Sequence, residues 1–186
     1  PATELSGFHL RLDMSDTLAI AVSQSGTTTD TNRTVDLLRA RGAAVIGIVN
    51  RRASDLVDKA NGILYTSDGR DVEMSVASTK AFYAQVAAGA LLACAISEAA
   101  KLGSDQRRHE LLVGLRSLPQ AMRTVLAKRL EIAEVAQRFA PPKRYWAVVG
   151  SGPNHVAAEE VRIKLSELCY KSIAADVIED KKHIDL

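Results

Sequence analysis

The 186-residue sequence predicts an α/β fold in which a doubly wound parallel sheet is flanked by helices. Three observations point there. Short unbroken apolar runs at 18–22, 44–50 and 62–66 alternate with stretches of helical periodicity. The first run stops at a loop of small hydroxylated residues and a glycine, which opens directly into a helix. After Pro141-Pro142 the strand, turn and helix pattern begins again at Tyr145.

Taken in order, 18–22 reads as a strand buried on both faces. Ser23-Gln24-Ser25-Gly26-Thr27-Thr28 follows, then a helix over 31–39 with Val35, Leu37 and Leu38 on its apolar side. Gly42 suits a C-cap. Strands at 44–50 and 62–66 enclose a short helix at 53–60, a spacing that argues right-handed parallel crossovers. Ser78 or Thr79 can cap a long helix running to about Ala100. Its alanine-rich section 81–95 is too short to span a membrane and reads as a core helix.

Residues 104–140 are helical with mixed charge. Leu111, Leu115, Leu118, Met122, Val125 and Ile132 recur at three and four, predicting one buried face, and Pro119 predicts a break or a fresh start. A strand at 145–149, the turn Gly150-Ser151-Gly152, a helix at 155–170 and a strand near 172–178 complete the pattern.

Bulk properties narrow the function classes. With 47% hydrophobic and 25% charged residues the composition is that of a globular protein. A net charge of +2, basic residues only in pairs and 4% aromatics argue against a nucleic-acid partner. Cys94 and Cys169, each in an apolar helical context, read as buried thiols of a reducing compartment, and no signal peptide opens the sequence as given. The expected location is therefore cytoplasmic, with no membrane contact and neither metal nor other cofactor.

The chemistry concentrates in two places. The loop at Ser23–Thr28 brings hydroxyl donors to a helix N-terminus, where free N–H groups and the helix dipole suit a phosphate; capping of the next helix is the alternative reading. Glu160, Lys164 and Glu167 share one helix face at spacings of four and three, either as a solvated salt-bridge face or as an acid–base site.

Ser-Gln-Ser-Gly-Thr-Thr-Thr-Asp-Thr resembles the phosphosugar loop of SIS (sugar isomerase) domains, a flavodoxin-like doubly wound fold. Within them it is most similar to the isomerase half of glucosamine-6-phosphate synthase, which has a glutamate where Thr27 stands. A second stretch, Val76-Ala77-Ser78-Thr79-Lys80-Ala81-Phe82, resembles the same family at a matching distance. The resemblance implies that Ser23, Gln24, Ser25 and Thr28 bind the phosphate end, that Val76 and Ser78 face the sugar, and that Lys80 holds the loop.

Lys164-Leu165-Ser166-Glu167-Leu168-Cys169-Tyr170 is similar to the family's Lys-Leu-Lys-Glu-Ile-Ser-Tyr helix, and His183 falls where the family has Lys-His-Gly, with Ile184 replacing the glycine. By resemblance Glu167 is the base that moves a proton between C1 and C2, Lys164 its electrostatic partner, and His183 the ring-opening group, working across a dimer interface. The implied domains are a first SIS unit over 1–103 lacking its N-terminal part, a helical connection over 104–143 and the truncated start of a second unit over 144–186.

The implied partner is a phosphosugar, fructose 6-phosphate or glucosamine 6-phosphate, and the implied assembly a homodimer; open sheet edges are expected to be covered by another copy or by missing segments. Two other readings share the fold: a non-catalytic phosphosugar-sensing module, and an isomerase or deglycase acting on another phosphosugar.

Overall fold

The structure is a computed structural model that describes residues 1–69 and 77–184. It divides into two compact units, Pro1–Leu115 and Arg116–Leu186.

In the first unit, a short helix α1 (Ala2–Glu4) continues into a π-helical turn at Leu5–His9. Strands β1 (Leu18–Ser23), β2 (Ala44–Val49) and β3 (Gly62–Tyr65) form a parallel sheet in the order β1-β2-β3. The register sets Leu18 opposite Ala44 and Ile46 opposite Gly62. Helices α2 (Thr29–Ala40) and α3 (Asp55–Lys59) are the crossovers, and α4 (Lys80–Ala99) follows the sheet. Between β1 and β2, the turn after α2 closes on Gly42 at φ +89°, where a Cβ would stand 3.3 Å from Ser15.

The core forms where the apolar runs meet the helices. Val35 and Leu38 of α2 and Leu56 of α3 pack with Met14, Val45 and Val49. β2, paired on both sides, is buried almost throughout. β1 departs from the expectation of burial on both faces: Leu18, Ile20 and Val22 are 45%, 48% and 48% exposed. An edge strand lacks one neighbour, and here a cleft of ≈420 Å³ lies between Ile20 and Val22 and the residues Gln85, Gly89 and Leu92 of α4. A second cleft of ≈400 Å³, lined by Ala19 and Ala21 together with Met14 and Leu38, opens on β1 as well.

Helix α4 is also longer and less covered than a core helix. It has 20 residues, enough by length and composition for a membrane span, and 17% of its most apolar window is buried. Tyr83, Val86 and Leu91 lie on its open side.

Helix α5 (Asp105–Ala127) runs through Pro119 without the expected break. Proline removes one backbone N–H, but the open carbonyl can turn to water on an exposed helix. Helix α5 crosses from the first unit into the second, where α6 (Arg129–Phe139) follows. The predicted apolar stripe is present, yet neither helix has a buried residue, and Val125, Leu130 and Val135 are exposed.

In the second unit, β4 (Ala147–Val149) pairs in parallel with β5 (Ala174–Asp176), and α7 (Pro153–Cys169) crosses between them. Gly150 admits α7 closely, since a Cβ there would come within 2.3 Å of the Asn154 carbonyl oxygen. Cys94 is buried as expected, whereas Cys169, the last residue of α7, is exposed. A helix α8 (Ile178–Ile184) closes the described chain, with Glu179 and Asp180 in its first turn and Lys181, Lys182 and His183 in its last, as the helix dipole favours.

Candidate functional site

The strand run ends at Ser23 because the next residues trade apolar bulk for hydroxyls, and the loop they form lies at the carboxyl end of β1, where parallel sheets place ligands. Ser23 Oγ accepts the Gly26 N–H at 3.0 Å and is itself buried. Ser25 Oγ accepts from Thr27 N at 3.2 Å and from Thr27 Oγ1 at 3.0 Å. The Thr27 N–H takes one lone pair of Ser25 Oγ, and the Ser25 hydroxyl can still turn its hydrogen outward as a donor. Both contacts come from Thr27, whose hydroxyl stands where the family pattern has a glutamate.

Gly26 adopts φ +67°, and a Cβ there would reach 2.1 Å from Ser54 Oγ, so only glycine fits. Its carbonyl accepts the Leu56 N–H at 3.0 Å, which ties the loop to α3. Gln24 is held by its backbone: its carbonyl receives the N–H groups of Asn50 and Arg51 at 3.3 and 3.4 Å. Thr28 takes the N-cap position of α2 without a side-chain capping bond, so the capping reading of this loop does not describe its hydroxyl. The first N–H groups of α2 therefore begin directly behind the loop.

Ser78 is half-buried next to buried Ala77, and Thr79 occupies the N-cap position of α4, again with no side-chain capping bond. Val76 lies outside the described residues.

On α7, Lys164 Nζ stands 3.2 Å from Glu160 Oε1 and 3.3 Å from Glu167 Oε2. Side-chain exposures of 21%, 19% and 38% for Glu160, Lys164 and Glu167 place the pair partly inside and leave the Glu167 carboxylate the more open. Burial works against the Lys164 charge, but hydrogen bonds to Glu160 and then Glu167 outweigh it and raise the ammonium pKa above its ordinary value. His183 lies on α8, exposed, with Nε2 2.9 Å from Glu179 Oε1. The structure thus joins Ser23, Gln24, Ser25 and Thr28 in one loop and Lys164 with Glu167 on one helix, and pairs His183 with Glu179. Among the described residues no three His, Cys, Asp or Glu side chains gather as a metal site.

One member of these clusters carried little signal in the sequence. Asn32 is 4% exposed on the buried side of α2, and its only sequence signal is its place three residues before Val35 on the apolar face.

Residues 1–95 match the SIS domain family model. The chain is 38% identical over 155 residues to a glutamine–fructose-6-phosphate aminotransferase (isomerizing) of Gloeobacter violaceus, covering 83% of this chain and 25% of that protein. The enzyme of the same name from Mycolicibacterium smegmatis is 34% identical over 167 residues, 90% of this chain and 26% of that one. Among solved structures, the C-terminal domain of glucosamine-fructose-6-phosphate aminotransferase from Francisella tularensis superposes with a TM-score of 0.88 at 27% identity, over 98% of this chain and 51% of that chain. The chain therefore spans about a quarter of the length of these curated relatives. With its parallel sheet, its hydroxyl loop ahead of α2 and a family match over the first 95 residues, the chain belongs to the SIS domain family.

Proposed function

We propose that this chain is a phosphosugar-binding isomerase unit of a protein like glucosamine-6-phosphate synthase, converting fructose 6-phosphate to glucosamine 6-phosphate. The observation that carries the reading is the Ser23–Thr28 loop: hydroxyl donors fixed by their own backbone at the end of a parallel strand, in front of the first turn of α2. A dianionic phosphate meets there the N–H groups and the positive end of a helix. Similarity to enzymes named glutamine–fructose-6-phosphate aminotransferase supports the choice of phosphosugar.

In this reading His183 opens the sugar ring, a task suited to an imidazole, which has one nitrogen to donate a proton and one to accept it. Ammonia adds to the C2 carbonyl with loss of water, and Glu167 takes the C1 proton and returns it to C2. Lys164 spends two of its hydrogens on Glu160 and Glu167, and its third is offered to the charge that develops on the sugar oxygen. Gln24, Thr28, Val76 and Ser78 line the ligand. The protein works in the cytoplasm as a homodimer, with a first SIS unit over 1–103 and the start of a second over 144–186.

Calorimetric titration with fructose 6-phosphate and glucosamine 6-phosphate, with unphosphorylated fructose as control, tests the reading. Phosphate-dependent binding that disappears in the Ser23→Ala/Ser25→Ala double variant is the expected result. Equal response to fructose and its phosphate would overturn it.

A further inference from the structure

Gly26 and Thr28 turn their carbonyl oxygens toward one buried side chain. Asn32 Nδ2 donates to Gly26 O at 3.0 Å and to Thr28 O at 3.1 Å. Both neighbours are acceptors only, which fixes the amide orientation: nitrogen toward the loop, with Oδ1 buried and without a partner among the described residues. An amide retained on a helix face that also buries Thr34, Val35 and Leu38 is costly unless the bonds it makes matter.

Those bonds decide the attitude of one peptide plane. The Gly26–Thr27 peptide is trans, so its carbonyl and its N–H point in opposite directions. Asn32 and the Leu56 N–H draw the carbonyl inward, and the Thr27 N–H is thereby turned to Ser25 Oγ on the other side. That contact occupies a lone pair of Ser25 Oγ and leaves its hydrogen able to turn outward as a donor. A loop free to rotate this peptide could instead present the Gly26 carbonyl, a negative dipole end, to an arriving anion.

We infer that Asn32 is a positioning residue of the anion loop: its amide holds the Gly26–Thr27 peptide in the orientation that presents donors rather than a carbonyl. It touches no ligand and acts through Gly26, Thr28 and Ser25. The inference rests on the phosphosugar reading for its purpose, but the clamp itself is measurable without ligand.

The test compares the chain with Asn32→Leu, which keeps the volume and removes the donor, and Asn32→Asp, which keeps the shape and faces the carbonyls with an acceptor. Affinity for fructose 6-phosphate is read by calorimetry, and amide hydrogen exchange of Thr27, Leu56 and the β2 residues by NMR without ligand. The loss of one neutral hydrogen-bond donor predicts roughly 2- to 10-fold weaker binding for Asn32→Leu, with a larger loss for Asn32→Asp. Exchange is expected to quicken at Thr27 and Leu56 and to stay unchanged at Val45 and Val49. Unchanged affinity in both folded variants, or exchange that quickens equally throughout β2, would overturn the positioning role. If the unaltered chain binds no phosphosugar, the function proposed above fails, while the exchange pattern still decides the clamp.

Discussion

Lys164 Nζ and Glu167 Oε2 stand 3.3 Å apart on one face of α7, with Glu160 holding the same ammonium from the turn before. A carboxylate that shares a lysine in this way is oriented without being enclosed. Replacing it by its amide removes the proposed base and keeps the shape. Glu167→Gln is expected to slow the exchange of sugar C1 hydrogen for solvent deuterium by on the order of 100- to 10,000-fold. Phosphosugar affinity should stay within about twofold, since the proposed phosphate contacts lie in the Ser23–Thr28 loop. NMR of fructose 6-phosphate in deuterated buffer reads the first quantity and calorimetry the second.

Lys164 also links the cluster to stability. Its pKa in the fold lies above the ordinary 10.5, so the folded chain holds that proton more tightly than the unfolded chain does. The stabilisation is complete below the unfolded value and is lost as pH rises through the raised folded one. Lys164→Met should lower stability by about 1 kcal/mol at neutral pH. The gap between the two proteins should narrow as pH rises above 10.5, as measured by urea denaturation at each pH.

Gly26 gives a sharper stability prediction. Alanine there takes on an unfavourable φ and pushes a Cβ into Ser54 Oγ and Cβ, at 2.1 and 2.8 Å. Gly26→Ala should cost about 2 kcal/mol or more in urea denaturation, together with phosphosugar binding. Gly89→Ala is the control: it lies in α4 with no atom within 4 Å of a new Cβ, and a gain of about 0.5 kcal/mol is expected from helix propensity.

Self-association is the fourth expectation. The open side of β1 and the exposed apolar residues Ile20 and Val22 ask for cover. Sedimentation velocity at micromolar concentration should show a dimer, weakened by Ile20→Lys. A monomer under those conditions would remove the homodimer from the proposal.

The strands were legible because continuous apolar runs have few other uses at that length, and the loop was legible because its hydroxyls interrupt one such run. What periodicity could not convey was coverage. It marked an apolar face on α5 and α6 correctly, but whether anything lies against that face depends on neighbours that a local pattern does not contain. The same holds for Ile20 and Val22, whose strand reads as fully buried until its place at the sheet edge is known. Helix α8 was missed because seven residues, four of them charged, carry no amphipathic signal. Pro119 misled for the opposite reason, as a strong local breaker overridden in an exposed helix. Asn32 stayed hidden because a single polar residue on an apolar face reads as tolerance rather than purpose.

The position of β1 also bears on how the molecule moves. β2 is hydrogen-bonded on both sides and contributes Val45, Ile48 and Val49 to the core, so its amides should be among the last to open. β1 is secured on one side only, with a cleft against each face, and the Ser23–Thr28 loop, the proposed phosphosugar site, hangs from its end. Fraying of that strand and loss of the loop are then one event. Whatever completes the ladder along β1 would raise the affinity of the loop for its anion without touching the anion, and by reciprocity a bound phosphosugar would tighten the hold on that neighbour. Assembly and ligand capture would share a single free energy.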